Sequence, residues 1–479
     1  MRNPIKRISA LLLCLLLVLS LPVTALAEEA KDTDEAAAAE EGTTLRILRQ
    51  KQFLDFAENC RLDSYSRNLS VVLLADIDLT GVDFAGIPIF CGNFDGNGHT
   101  VSGLSITRDG SNMGLFRYVD ASALIQNLTV SGEIIPDGSR SAVGGIAGHN
   151  AGKIQNCFFD GTVSGSDDVG GIAGINAITG IVDGCHSKGV ITGDHRVGGI
   201  VGNNLGVIRS CNNRSAVNTT AEENQVKLSD ISFDTITGSE SVSTVTDIGG
   251  IAGTSSGVIR QSKNRGNVGY QHMGYNVGGI AGTQTGYLYK CENFAQVYGR
   301  KEVGGIVGQI AKGDDGLGRY VINCYSRVDQ LEAKHNDVGG IAGIVSDDSF
   351  VINCYSTVEK ITANSSYASV VGYSKKGNLQ NIYGNSACPS KSAANSAVGS
   401  DKAAGTVWKK TTFALLSLDE MKSGAVTVPS SGESCANFAA ALNAGATLFN
   451  DTPAATLPGK PDVVLRKWTA SESYPVLEK

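Results

Sequence analysis

Val143-Gly144-Gly145-Ile146-Ala147-Gly148 is the stretch on which the fold turns, because it recurs along the chain with little change. Copies begin at Val169, Val197, Ile248, Val277, Val303 and Val338, and a worn one surrounds Val370-Val371-Gly372. Successive starts lie 26, 28, 51, 29, 26 and 35 residues apart. The 51 reads as one unit carrying an insertion, which residues 218–246 supply. Self-similarity at such a period is the mark of a solenoid, in which each unit leans on its neighbours rather than on a core of its own.

A second landmark trails each copy, an apolar residue followed three positions later by cysteine: Ile154 to Cys157, Val182 to Cys185, Ile208 to Cys211, Leu288 to Cys291, Val321 to Cys324 and Val351 to Cys354. Ser262 holds the cysteine position in the remaining unit. The distance from the leading Val or Ile to this position is 14 in four units, 16 in two and 21 in the unit interrupted by Lys312–Gly318. Length therefore varies at fixed points between constant landmarks, as expected when coils stack and loops bulge outward.

Val143 and Ile146 are three apart, as are Ile154 and Cys157, and a strand of period two cannot point both members of such a pair inward. A corner between them can. Gly144-Gly145 is expected to supply one corner through positive φ, and Asn156, Gly184, Asn323 and Asn353 the other. Ser210, Gln261 and Lys290 suit that second corner less well. Short strands joined by such corners predict an all-β, right-handed parallel β-helix of roughly ten coils, each rising by about 4.8 Å, with Val, Ile and Cys stacked down its interior. A helical solenoid would need long stretches of 3.6 period, which 59 glycines do not permit.

An open stack needs its ends covered. A short helix over residues 48–60, with Phe53, Leu54, Phe56, Ala57 and Cys60 on one face, is expected to cap the start, followed by a strand Val71–Leu79. A helix over Ser434–Ala444 bearing Phe438, Ala441 and Leu442, with Trp468 and Tyr474-Pro475-Val476 as late strand residues, is expected to close the far end. The organisation that results is a signal peptide at 1–27, an acidic leader at 28–43, an N-terminal cap and first coils at 44–142, repeat coils at 143–384 with the insertion at 218–246, and C-terminal coils with a cap at 385–479.

The signal rests on Arg2, Lys6 and Arg7 ahead of the apolar run Leu11–Leu21 and the small-x-small site Ala25-Leu26-Ala27. The run is short for a bilayer span, and export is the expectation. Losing those three cations takes the formal charge from −7 to −10. Residues 28–41 carry seven acidic residues against Lys31, a local −6 that leaves −4 for the body. With mixed signs and no basic stripe visible, nucleic acid is not an expected partner.

These elements, together with Leu73-Leu74-Ala75-Asp76-Ile77-Asp78-Leu79 and Phe94-Asp95-Gly96-Asn97-Gly98-His99, resemble the repeats of bacterial GLUG-motif surface and secreted proteins over residues 44–479. The resemblance implies a pectin lyase-like parallel β-helix. Similar units occur in adhesin-like proteins and beside the catalytic part of immunoglobulin A1-cleaving zinc metallopeptidases, so it implies no single activity.

The zinc-peptidase pattern H-E-x-x-H is absent from the sequence, and His99, His149, His186, His195, His272 and His335 are scattered. A polysaccharide lyase or hydrolase is the stronger enzymatic alternative, with Asp167, Asp168, Asp194, Asp314, Asp315, Asp347 and Asp348 as acids and Arg196, Arg300 and Lys301 as cations. Those aspartates sit beside Gly or Ser, where Asp is ordinary turn chemistry. No catalytic, cofactor-binding or metal-binding residue is expected, and six of the ten mature-chain cysteines are expected as a reduced interior ladder, since parallel side-chain vectors suit disulfide torsion poorly. Insertions at 218–246, 312–319 and 385–406 are the places where contact with a partner is expected. The sequence thus points to a monomeric, secreted or cell-surface-associated, non-catalytic repeat protein whose partner is an extracellular protein or glycan.

Overall fold

The computed structural model describes residues 43–138, 140–220, 245–270, 273–312, 319–391, 396–401 and 411–478. The signal and leader expectations, His272, the Asp314-Asp315 pair and most of the 218–246 insertion lie outside the described residues. What is described is a parallel β-solenoid of about 11 turns.

One coil shows how the sequence makes it. Strands Ser141–Gly144, Ala147–Asn150, Lys153–Gln155 and Phe158–Ser164 follow one another around the tube, and each pairs in parallel with its equivalent 26 to 28 residues on. Repetition builds four walls of 8, 11, 12 and 13 strands, with a further 3-stranded strip from Val297–Gly299, Gln330–Ala333 and Lys360–Thr362. Across the 51-residue gap Val197 pairs directly with Ile248, so that unit is a single coil with an insertion. In the worn copy Tyr367 takes the place of the leading valine and Val370 that of the isoleucine.

The interior is a set of columns. The backbone N–H of Ile146 donates to the Ile172 carbonyl at 2.9 Å and that of Ile172 to Ile200 at 2.8 Å, and the series continues through Ile251, Ile280, Ile306 and Ile341. All of these side chains are buried, as are both members of the Val143/Ile146 and Ile154/Cys157 pairs.

The two corners are made differently from expectation. Positive φ at the first corner falls on the residue before the valine: Ala142, Asp168, Arg196, Asp247, Asn276, Glu302, Asp337 and Ser366. Gly144 and Gly145 are not in that region. They are glycine because space is lacking: a Cβ on Gly145 would strike the Gly171 carbonyl oxygen of the next coil and the Phe159 ring. At the second corner Asn156, Gly184, Asn323 and Asn353 have positive φ as expected, and Ser210, Gln261 and Lys290 adopt it too.

Helix α1 (Gln50–Asn59) caps the start with Phe53, Phe56 and Ala57 buried, and Cys60 follows it into the core. The expected strand Val71–Leu79 is two strands, Ser70–Leu73 and Ile77–Asp78, on different walls, because the chain turns a corner between them. Helix α2 (Leu418–Ser423) is followed by α3, which spans Phe438–Asp451 rather than Ser434–Ala444. Ser434-Cys435 instead pairs antiparallel with Val426-Thr427, and the Asn437 side chain caps α3 by accepting from the Ala440 N–H.

The C-terminal segment also departs from its expected role. Trp468-Thr469 and Val476-Leu477 form an antiparallel pair outside the four walls. The segment straps the outside of the late coils: Tyr355 donates to the Pro475 carbonyl at 2.7 Å, Tyr320 to Pro458 at 2.8 Å and Tyr287 to Gly459 at 3.0 Å. Under it Tyr320 stacks on Phe350 at 4.4 Å and Tyr325 on Tyr355 at 4.9 Å between ring centroids.

Candidate functional site

Stacking turns residues far apart in sequence into continuous outer columns, and three of them carry chemistry. The first lies along the positive-φ corner. Arg196 reaches back one coil to hold Asp168 at 2.5 Å and Asp167 at 3.4 Å. Its guanidinium charge is favoured chiefly by the bond to Asp168. Farther on, Lys301 sits 2.5 Å from Glu302 and 3.7 Å from Asp337. Burial pushes both the Glu302 and the Asp337 carboxyls up, with Lys301 pulling against it. Of the three cations considered for glycan cleavage, Arg196 and Lys301 are therefore engaged with these carboxylates, whereas the buried Nε of Arg300 has no hydrogen-bond partner among the described residues. Asp347 is half-buried, and Asp348 is exposed at a positive-φ turn.

The histidines do not converge. His99 pairs with Asp76 at 3.1 Å, the His149 ring lies 5.9 Å from that of Tyr118, His195 meets Thr246 at 3.1 Å, and His186 stands on a different wall from His195. Among the described residues no group of three or more metal-ligating side chains comes together. All ten cysteines among them are free and buried, and burial pushes the Cys157, Cys211 and Cys324 thiols well above the ordinary range. Ser262 completes that ladder, its hydroxyl accepting from the Cys211 N–H at 3.3 Å.

The second column runs along the 13-stranded wall. In each coil a central residue points inward, Phe159, Ser187, Asn213, Asn264 or Asn293, and its neighbours on either side point out. Parallel register places Asp160, Lys188, Arg214, Arg265, Phe294 and Arg327 one above another. Lys188 pairs with Asp160 at 2.9 Å, and the Arg265 guanidinium lies 4.6 Å over the Phe294 ring. Beside this column Phe158, His186, Lys188, Asn212 and Arg214 line an open groove of about 310 Å³. The third column, on the neighbouring 12-stranded wall, adds Arg209, held by Asp183 at 2.7 Å, with Arg260 directly above it. No basic stripe was visible along the sequence because Lys188, Arg214 and Arg265 stand 26 and 51 residues apart; only coil register brings them together.

Residues 139–164, one turn of the tube, match the GLUG motif. That turn carries the GLUG motif. The chain is 32% identical over 146 residues, 28% of its length, to halomucin of Haloquadratum walsbyi. Over 96 residues, 18% of its length, it is 35% identical to a protein of Evansella cellulosilytica provisionally named a Gly-rich membrane protein. It spans 2% and 11% of the lengths of these relatives. A Bacteroides ovatus crystal structure provisionally assigned as an immunoglobulin A1 protease aligns with 71% of this chain and 85% of its own, at 18% identity and a TM-score of 0.34. Among the described residues, no helix is long and apolar enough to cross a membrane.

Proposed function

We propose that this GLUG chain is a secreted or cell-surface-associated, non-catalytic β-helical repeat protein that presents an adhesin-like binding surface to an extracellular protein or glycan. The observation that carries the reading is the outer column of the 13-stranded wall, where equivalent positions of successive coils line up polar and charged side chains along the stacking direction. Such a surface gains affinity by repeating modest contacts, and it needs no transition state to stabilise. The ion pairs Arg196–Asp168 and Lys301–Glu302 support the non-catalytic part, since they tie up two of the three cations a glycan-cleaving site would use. Kinship in sequence with a halomucin and a membrane-named protein supports a place outside the cell.

Probing an array of glycans and matrix proteins with the purified chain tests this reading. Saturable binding to at least one array member is expected. A blank array, or new reducing ends or unsaturated products after incubation with acidic glycans and calcium, would overturn it, the latter in favour of a lyase or hydrolase.

A further inference from the structure

We infer that the column Lys188–Arg214–Arg265, with the groove beside it, is a binding site for an acidic polysaccharide lying along the stacking direction. The inference rests on the binding-surface reading and names its ligand class. Cations in adjacent strands of a parallel wall stand about 4.8 Å apart, and like charges placed directly opposite destabilise a sheet. Three successive coils carry such a stack. Lys188 is relieved by Asp160 and Arg265 rests on the Phe294 ring, but neither Arg214 nor Arg265 forms an ion pair with a carboxylate among the described residues, and both are exposed. Glu292, one coil farther on in the adjacent column, is already held by Lys263 at 2.8 Å. A chain of formal charge −7 thus keeps unneutralised positive charge on one strip of one wall. A polyanion along that strip removes the repulsion.

The spacing selects the kind of polyanion. One cation per coil matches a polymer bearing one carboxylate per sugar, whose repeat is close to the coil rise, and arginine takes a carboxylate through two parallel hydrogen bonds. Duplex DNA presents a charge about every 1.7 Å, far denser than this column, and the anionic remainder of the chain repels it. The groove adds what a sugar needs and a phosphate does not: the half-buried Phe158 ring offers an apolar surface for a pyranose face, flanked by His186 and Asn212 as polar partners.

Affinity electrophoresis and calorimetry of the full chain with polygalacturonate at low salt test the assignment, with dextran and duplex DNA as comparison ligands. Retention by polygalacturonate alone is expected, and it should weaken as salt is raised. The pair Arg214→Ala and Arg265→Ala should lose affinity by about tenfold or more. Lys360→Ala, an exposed cation on another strip, should not. Circular dichroism and melting confirm that the variants fold. Unchanged affinity in the double variant, or DNA binding as tight as polygalacturonate, overturns the inference. If polygalacturonate is not retained while the array scores another ligand, the acidic-glycan site falls and the binding surface stands; if the array is blank as well, both fall.

Discussion

The Asn150 side chain donates to Oδ1 of Asn176 in the next coil at 2.8 Å, with neither residue exposed to solvent. Asn176 in turn donates to Asn204 at 2.8 Å and to the Gly180 carbonyl at 3.2 Å, and Asn204 to the Ser255 hydroxyl at 3.0 Å. A buried amide is tolerable when its groups are paired and costly when one is stripped. Asn176→Ala orphans partners on both sides and leaves a void, so it should cost about 3 kcal/mol. Asn150, whose own Oδ1 is already unpartnered, ends the ladder, and Asn150→Ala should cost clearly less. Urea unfolding of the two variants checks the order; a cost at Asn176 no larger than at Asn150 would show that the ladder is not cooperative.

Glycines in this chain do two jobs that substitution separates. Gly145→Ala forces a methyl into the Gly171 carbonyl and the Phe159 ring, and overpacking of this kind should cost about 3 kcal/mol. Gly98 has φ +81 with nothing within 4 Å of an added Cβ, so Gly98→Ala should cost about 1–2 kcal/mol from backbone conformation alone. Thermal melts of the two variants decide; equal losses would remove close packing as the reason for the glycine pair.

The repeat was legible because the same spacing imposes itself coil after coil: Val143, Ile146, Ile154 and Cys157 each found their column. The asparagine ladder left an equally regular trace, Asn150, Asn176 and Asn204 each standing three residues past Ala147, Ala173 and Val201, but a polar residue in a strand reads as outward until its partners are seen. The docking strip under the C-terminal strap was encoded as well. Tyr320-Val321-Ile322 and Phe350-Val351-Ile352 are apolar at consecutive positions, where Lys153-Ile154-Gln155 alternates, and an unbroken apolar run marks a strand covered on both faces. What covers it lies far along the chain, 138 residues on for the Tyr320–Pro458 bond and 89 for Asn353–Leu442, and no local pattern names it. The basic column escaped for a related reason, since its members belong to separate coils and meet only through register.

Glu302 and Asp337 give the fold a pH dependence of definite sign. Burial raises both carboxyls in the folded chain, so between their unfolded and folded values the folded state holds more protons than the unfolded one. Stability then falls as pH rises through that window: the contribution is whole below the unfolded values and lost above the raised ones. Glu302→Gln with Asp337→Asn fixes the neutral forms. Denaturation midpoints of the double variant should change less than those of the parent between the ordinary carboxylate range and neutrality. Asp76 and Asp83, lowered by their hydrogen bonds to Thr100 and Arg108, act in the opposite sense at more acid pH in both proteins and cancel from the comparison. Parallel pH profiles would contradict the assignment.

The strap over the late coils sets a limit on truncation. Tyr320, Ile322, Tyr325, Phe350, Ile352, Tyr355 and Tyr383 point away from the tube yet are buried, because α3, Trp468 and Leu457 lie across them. Its attachment is polar as well: Asn353 donates to the Leu442 carbonyl at 2.8 Å, and Arg327 donates to Ser473 at 3.1 Å while lying 4.9 Å over the Tyr474 ring. Tyr355→Phe removes one of these bonds and should cost about 1 kcal/mol. Ending the chain after Leu416 uncovers the whole strip, an apolar patch larger than the roughly 300–600 Å² a soluble monomer shows, with rings that bury about 150–250 Å² each. The shortened chain should bind a hydrophobic dye and self-associate in light scattering while keeping its β-sheet circular dichroism. A shortened chain that stays monomeric, with the parent's melting temperature, would mean that the strap contributes nothing to the solenoid it covers.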